Sequence, residues 1–279
     1  MTTDAIGEHA PVLALHCSLG SSAQWRSLAR AMPEREVVAL DLLGYGDAPH
    51  PTNPDVFSLD DEVDAVEQAL RDRLDGDAPL HVVGHSYGGA VAWLFALRHP
   101  TRVKSIALFE PMTIWLVRDD AGAQPFHALA RLCSSEVEMG MATQAAQRFV
   151  NFWSGPGAFS ALPLEKQAAF TRQMSKVKLD FHACRSERSA VPKLGYLQMP
   201  GLLMNGSHGL PVMRKNLSIL QQAFENCLMA ELPGGHMAPV ENRREVDSVI
   251  ATFIRESERP SARPGVRPIL YTSAETLAS

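Results

Sequence analysis

The sequence predicts an α/β domain in which a mostly parallel sheet is flanked by helices and interrupted by an inserted helical cap. Three observations carry that expectation. Short apolar runs alternate with amphipathic stretches of helical period along most of the chain. The alternation stops once, between Pro111 and about Pro200, where the pattern reads as helix throughout. One apolar run closes on Gly84-His85-Ser86-Tyr87-Gly88, a G-x-S-x-G turn followed by a helix-forming segment. At 279 residues the chain accommodates one large domain with an insertion, but not two full-sized domains.

Taken in order, Pro11-Val12-Leu13-Ala14-Leu15 is a continuous apolar run ending at His16, as expected of a strand buried on both faces. Val37 to Asp41 is the second strand. Ser58 is placed to cap a helix in which Leu59, Val63, Val66 and Leu70 share one face. Leu80 to Val83 leads into the serine turn, and the helix after it, Ala90 to Leu97, must end before Pro100. Val103 to Phe109, Leu202 to Met204 and Cys227 to Leu232 supply three further strands. Between Phe109 and Leu202 lie helical patterns rich in Met and aromatics (Phe126, Phe149, Trp153, Phe170 and Met174 among them), broken by the turn Ser154-Gly155-Pro156-Gly157. The expected division is therefore a core of residues 1–111 and 200–256, a helical cap of residues 112–199, and a tail of residues 257–279. In that tail Pro260, Pro264 and Pro268 alternate with Arg259, Arg263 and Arg267, and Ile269-Leu270-Tyr271 alone offers an apolar docking element.

Composition narrows the function. With a net charge of −5 there is no electrostatic case for binding nucleic acid or an anionic membrane. The opening Met1-Thr2-Thr3-Asp4 has neither a basic start nor a signal-length apolar run, and no stretch approaches a membrane span. Cys17, Cys133, Cys184 and Cys227 are scattered without C-x-x-C pairing, as in free thiols of a reducing cytoplasm, which is the expected location. No His and Asp/Glu group has metal-ligand spacing, and no phosphate-cradling glycine loop opens a helix, so neither metal nor cofactor is expected.

Four loops in order resemble those of the α/β-hydrolase family, over roughly residues 11 to 256. His16-Cys17-Ser18-Leu19-Gly20 resembles the H-G-x-x-G loop after the first central strand, with Cys17 in place of the usual glycine. Asp41-Leu42-Leu43-Gly44-Tyr45-Gly46 resembles the D-x-x-G-x-G loop. The serine turn follows as a nucleophile elbow, and Pro233-Gly234-Gly235-His236 resembles the loop that delivers the catalytic histidine. With about ten residues before the first strand, the family's N-terminal hairpin is expected to be shortened or absent.

The resemblance implies that Ser86 is the nucleophile and His236 its base, since serine needs a base within hydrogen-bond reach. Of the ten histidines, His85 should point sideways from the elbow, His16 should brace its loop, His81 and His99 read as strand and helix-end residues, and His208 is the one rival to His236. The acid is the problem. Where many relatives carry an aspartate after the fifth strand, this chain has Gly206-Ser207-His208-Gly209. Glu225, placed late in the following helix, and Glu231, on the last strand, are not in the right positions. Glu110, closing the strand that ends at Phe109, is the expected donor, as in a branch of the haloalkane dehalogenases; its alternative role is a salt bridge or a helix cap. The backbone N–H groups of Tyr87 and Ser18 are the expected oxyanion donors. Cap basic residues, including Lys166, Lys176 and Lys178, are spread rather than clustered. Together these imply a serine hydrolase acting on a small, apolar carboxylic ester or lactone. Two alternatives stand beside it: a carbon–carbon bond hydrolase or lyase using the same pair, and a non-catalytic binding homologue. Halide displacement is disfavoured, because in this family it uses an aspartate where Ser86 stands.

Overall fold

In the computed structural model, residues 9–74, 77–192 and 196–259 are described. The first eight residues and the proline–arginine tail beyond Arg259, with Ile269-Leu270-Tyr271, lie outside them. Six strands form one sheet: β1 (Val12–Leu15), β2 (Val37–Leu40), β3 (Leu80–His85), β4 (Val103–Phe109), β5 (Gly201–Gly206) and β6 (Cys227–Leu232), in the spatial order β2-β1-β3-β4-β5-β6. Every pairing is parallel. The strands are apolar along their length because both faces are covered, as a parallel sheet requires. Leu13, Leu15, Val82, Ile106 and Leu108 point to one face; Val12, Ala14, Val83, Ala107 and Phe109 point to the other.

Helices α1 (Arg26–Ala31), α2 (Leu59–Arg71) and α3 (Ser86–Arg98) follow β1, β2 and β3. Asp61 accepts the Ser58 backbone N–H at 2.7 Å, which stops the α2 N-terminus from fraying. Its Leu59, Val63, Val66 and Leu70 are buried against the sheet, each worth about 1.5–3 kcal/mol in removal from water. Helix α3 starts at the serine itself, four residues before the stretch that the apolar pattern marks.

Between β4 and β5 run α4 (Gln124–Glu138), α5 (Ala142–Ser154) and α6 (Leu164–Ser186). Phe126, Ala145, Met174, Val177 and Phe181 of this insertion are buried in the same cluster as Val91 and Phe95 of α3. The insertion has one apolar core in common with this face of the sheet. After β5 come α7 (Pro211–Gln221), a short α8 (Ala238–Glu241) and α9 (Arg243–Ser257), the last packed with α1 on the opposite face. Glu225 lies beyond the end of α7, in the bend leading to β6, and not within the helix as its spacing suggests. Among the described residues, no helix is long and apolar enough to cross a membrane.

Strand order reverses at β1 and β3, where one crossover goes to β2 and the other to β4. In a parallel sheet, loops leaving the carboxyl ends on either side of such a reversal open a crevice. The His16–Gly20 loop and the Ser86 turn flank it.

Candidate active site

Strand register places the three side chains. His85 of β3 stands opposite Phe109 of β4, so the next residues, Ser86 and Glu110, leave neighbouring strands side by side. Both turn sharply: Ser86 has φ 55° and Glu110 φ 38°, left-handed conformations that cost a non-glycine residue about 1–2 kcal/mol. Gly88 makes the turn fit, since a Cβ there would lie 2.4 Å from the His16 carbonyl oxygen. Its N–H donates to that oxygen at 3.1 Å, pinning the elbow to the end of β1.

His236 arrives four residues after β6 and closes the row. The Ser86 hydroxyl donates to His236 Nε2 at 2.9 Å, and His236 Nδ1–H donates to Glu110 Oε2 at 2.7 Å. The second carboxylate oxygen, Oε1, accepts the Gly206 N–H at 2.9 Å. Glu110 is fully buried, and Ser86 and His236 are nearly so. Gly209 explains itself: a Cβ there would sit 2.2 Å from Glu110 Oε1, so the glutamate occupies the space in which a carboxylate from that loop would stand.

His85, His16, His81, His99 and His208 lie outside the hydrogen-bonded row. His85 Nε2–H donates to the His236 carbonyl oxygen at 2.8 Å, and His85 Nδ1 accepts from Gln24 Nε2 at 3.1 Å. Gln24 Oε1 in turn accepts the Cys17 N–H at 3.2 Å, so one relay ties the His16–Gly20 loop to the histidine loop beneath the elbow. Burial, and then the nearness of His236, hold His85 well below the usual histidine range. His16 donates through Nδ1 to the Cys17 carbonyl at 2.7 Å and accepts the Leu42 N–H at Nε2, 3.0 Å away; burial lowers it to about 4. His81 pairs with Ser105 and Glu258, His99 with Glu67. His208 lies in the turn after β5, where its backbone N–H donates to Gly234. Glu231 is taken up by Asn205 and Arg214. Burial pushes the Cys17 thiol up to about 12, which keeps it a poor nucleophile.

Ser18 and Tyr87 flank the serine. Tyr87 lies in the first turn of α3, where backbone N–H groups have no intrahelical acceptor. A chamber of about 20 Å³ adjoins Ser86, lined among others by Ser18, Tyr87, Phe126, Phe149, Trp153 and Asp180; that is room for about one water. Beyond it opens a cleft of about 1020 Å³ bordered by the His16–Gly20 loop, Met237 and, from the insertion, Phe149, Val150, Trp153, Leu162 and Phe170. Ser18, Phe149 and Trp153 border both spaces and form the partition. The Trp153 ring stacks on the His236 imidazole with centroids 3.9 Å apart.

Two features were invisible in the linear order. Arg26, Arg30 and Arg243 of the core meet Lys166 of α6 around the cleft, with Glu241 beside them. And Lys176, one of the spread cationic residues of the sequence, is 2% exposed. Its Nζ donates to Glu62 Oε1 at 3.0 Å and to Asp180, and its ammonium lies 4.7–4.8 Å from the centres of the Tyr45, Phe57 and Tyr87 rings. Burial opposes the charge on Lys176, but Asp180 and Glu62 outweigh it and its pKa rises; burial raises Glu62 despite the lysine. One signal did exist. Glu62 falls between Leu59 and Val66 on the apolar stripe of α2, where a lone carboxylate requires a partner.

The sequence matches the family model described as alpha/beta hydrolase fold over residues 10–243, and the chain belongs to that family. Among curated proteins it is similar to lipase LipV of Mycobacterium tuberculosis, 37% identical over 102 residues, covering 37% of this chain and 37% of that protein. It is also similar to the sn-1-specific diacylglycerol lipase ABHD11 of Mus musculus, 35% identical over 104 residues, covering 36% of this chain and 32% of that one. The match thus spans only about a third of the length of either relative. Among solved structures, an epoxide hydrolase of Bacillus megaterium superposes with a TM-score of 0.70 at 19% identity, covering 90% of this chain and 95% of that one. The enol-lactonase of Burkholderia xenovorans LB400 does so at 0.70 and 17%, covering 88% and 92%. At these identities the structural likeness speaks for the fold. Among the described residues, no group of three or more His, Cys, Asp or Glu side chains could hold a metal ion.

Proposed function

We propose that this protein is a serine hydrolase that cleaves an apolar carboxylic ester or lactone through an acyl-enzyme, with Ser86 as nucleophile, His236 as base and Glu110 as the orienting acid. The observation that carries the reading is the row Ser86–His236–Glu110, joined by bonds of 2.9 and 2.7 Å at the carboxyl edge of the sheet. Ser86 Oγ attacks the carbonyl carbon while its proton passes to His236 Nε2. Glu110 holds the Nδ1–H tautomer and stabilises the imidazolium. The Ser18 and Tyr87 N–H groups receive the oxyanion. The tetrahedral intermediate collapses as His236 protonates the leaving oxygen, and a water activated by the same imidazole then releases the acid and restores Ser86. Nucleophile and base both come from the chain, so the proposed reaction needs no cofactor.

Residues 112–199 act as the cap in this scheme. Their aromatic side chains line both chamber and cleft, which suits an apolar acyl or alkyl group, and the names of the lipase relatives point the same way. Because the chamber holds about one water, Phe149 and Trp153 must swing aside as the acyl group enters. A non-catalytic role drew its support from the missing aspartate, and Glu110 stands in that space.

The test is a fluorophosphonate probe followed by a panel of p-nitrophenyl esters, lactones and a vinylogous diketone. Labelling of Ser86 with ester or lactone turnover is expected. Turnover of the diketone alone would favour carbon–carbon cleavage, and a folded, unlabelled chain would favour a binding protein.

A further inference from the structure

The side chains of both residues that carry the oxyanion donors lead to one buried ion cluster, and the cluster bridges the insertion and the core. Ser18 Oγ–H donates to Asp180 Oδ2 at 2.6 Å, and the Tyr45 hydroxyl donates to the same oxygen at 2.5 Å. Asp180 Oδ1 accepts from Lys176, one turn earlier on α6. Lys176 Nζ reaches across to Glu62 Oε1 at 3.0 Å, and that oxygen also accepts the Tyr87 hydroxyl at 3.0 Å. Glu62 Oε2 accepts the Leu43 N–H at 3.0 Å. The path therefore runs Ser18–Asp180–Lys176–Glu62–Tyr87, from one oxyanion residue through the insertion and back to the other. Asp180, Lys176 and Glu62 are 3%, 2% and 0% exposed.

Asp180 borders the chamber beside Ser86, but both its oxygens are already engaged by three donors. A substrate group would have to displace one of them, so recognition of a ligand is the poorer explanation of its place. Holding the loop is the better one. The Ser18 hydroxyl is gripped from α6, whereas its backbone N–H belongs to a loop with the left-handed Leu19 (φ 60°) immediately after it. Gln24 holds that loop at the Cys17 N–H, and Asp180 holds it at Ser18 itself.

Resting on the serine-hydrolase reading, we propose that Asp180 is a positioning residue for the oxyanion hole. It fixes the Ser18 loop from the insertion, and Lys176 and Glu62 in turn hold α6 against the core. The residue never touches the reacting atoms. Its effect belongs to the transition state, in which the oxyanion exists, and so falls on kcat rather than KM.

The test uses the full chain with Ser18→Ala, Ser18→Thr, Asp180→Asn and the Ser18→Ala/Asp180→Asn double variant. Turnover of p-nitrophenyl acetate is normalised to active sites titrated with fluorophosphonate, and the melting temperature is followed alongside. Asp180→Asn leaves Lys176 and Glu62 as a one-to-one pair, so a folded protein is expected; Ser18→Ala leaves the cluster itself intact. Each should lower kcat per active site by about 10- to 100-fold, the range for displacing a catalytic group by about 1 Å. KM should stay within about twofold. The double variant should be no slower than the slower single, and Ser18→Thr, which keeps the hydroxyl, should recover most of the rate. Additive losses, losses confined to KM or to the number of active sites, or a kcat per site unchanged in both singles would overturn the positioning role while leaving the serine-hydrolase reading in place. A folded wild type that neither labels nor turns over any ester or lactone would overturn both.

Discussion

Two buried carboxylate hydrogen-bond systems lie beside Ser86, and they are built to opposite ends. In the row Glu110–His236–Ser86, one oxygen of the acid is anchored by a backbone N–H, and the other begins a chain of hydrogen bonds whose far end is a hydroxyl on the chamber wall. The row is open at one end, at the Ser86 hydroxyl, and the proposed reaction uses that end. In Glu62–Lys176–Asp180 every carboxylate oxygen accepts at least one donor and the ammonium is enclosed by three rings. That system is closed. The two systems therefore differ in one respect: the row ends on a hydroxyl, whereas the cluster returns every carboxylate oxygen to a donor, as buried charge requires.

Breaking the open row should give the largest effect. Ser86→Ala should abolish turnover to the residue left by binding and oxyanion stabilisation, and Glu110→Gln should lower kcat on the order of 10²–10⁴-fold, by analogy with loss of the triad acid elsewhere. Glu225→Gln and Glu231→Gln should be near neutral in the same assay. An aspartate at 209 cannot rescue Glu110→Gln, because the longer side chain still fills the site that a Gly209 Cβ would enter. Glu110→Ala with Gly209→Asp vacates that space and should regain part of the loss; no gain in steady-state kcat would show that the row depends on the β4 position itself.

Breaking the closed cluster should act on stability first. Lys176→Met removes the cation between two buried carboxylates, an unpaired-charge cost of about 3–5 kcal/mol. Denaturant unfolding should show a correspondingly lower midpoint, largely restored when Glu62→Gln and Asp180→Asn are added. An unchanged midpoint in Lys176→Met would mean that the cluster is open to water in solution.

The buried histidines along the sheet predict a pH dependence of stability. Burial lowers His16 and His81 to about 4 and His85 well below its usual range. Unfolded, the same rings take up protons near pH 6.5. Between about pH 6.5 and about pH 4 the unfolded chain therefore binds more protons, and stability must fall as pH falls. Urea midpoints should decline steeply over that interval, and a flat profile would contradict neutral burial of these rings. Smallest of all, Arg26→Ala with Arg30→Ala should lower kcat/KM severalfold for an ester bearing a carboxylate and leave a neutral ester unaffected, since exposed charges are worth about 0.2–1 kcal/mol each. Equal effects on both esters would mean that the cleft cations do not sense the substrate.

Much of this arrangement is legible in the linear chain, and the boundary is instructive. The six strands, the Ser58 cap and the serine turn are written in windows of about ten residues, because apolar period, capping and turn chemistry are local properties. Glu110 could be singled out because a carboxylate closing an apolar strand emerges at the edge where Ser86 also emerges, which parallel register guarantees. What stayed hidden depends on partners far apart in the chain. Lys176 and Glu62 are separated by 114 positions, Ser18 and Asp180 by 162. No local pattern distinguishes a lysine bound for solvent from one bound for a buried acid. Likewise, Trp153 reads as core, and only the packing of α5 over the histidine loop stacks it on His236. The sequence by itself determined the sheet, the order of its loops and the residue types at its carboxyl edge, because each follows from backbone geometry and hydrophobic period. The tertiary structure alone decided which charges are paired, which rings close the chamber and how the insertion grips the Ser18 loop, because those depend on distances set when separate elements pack.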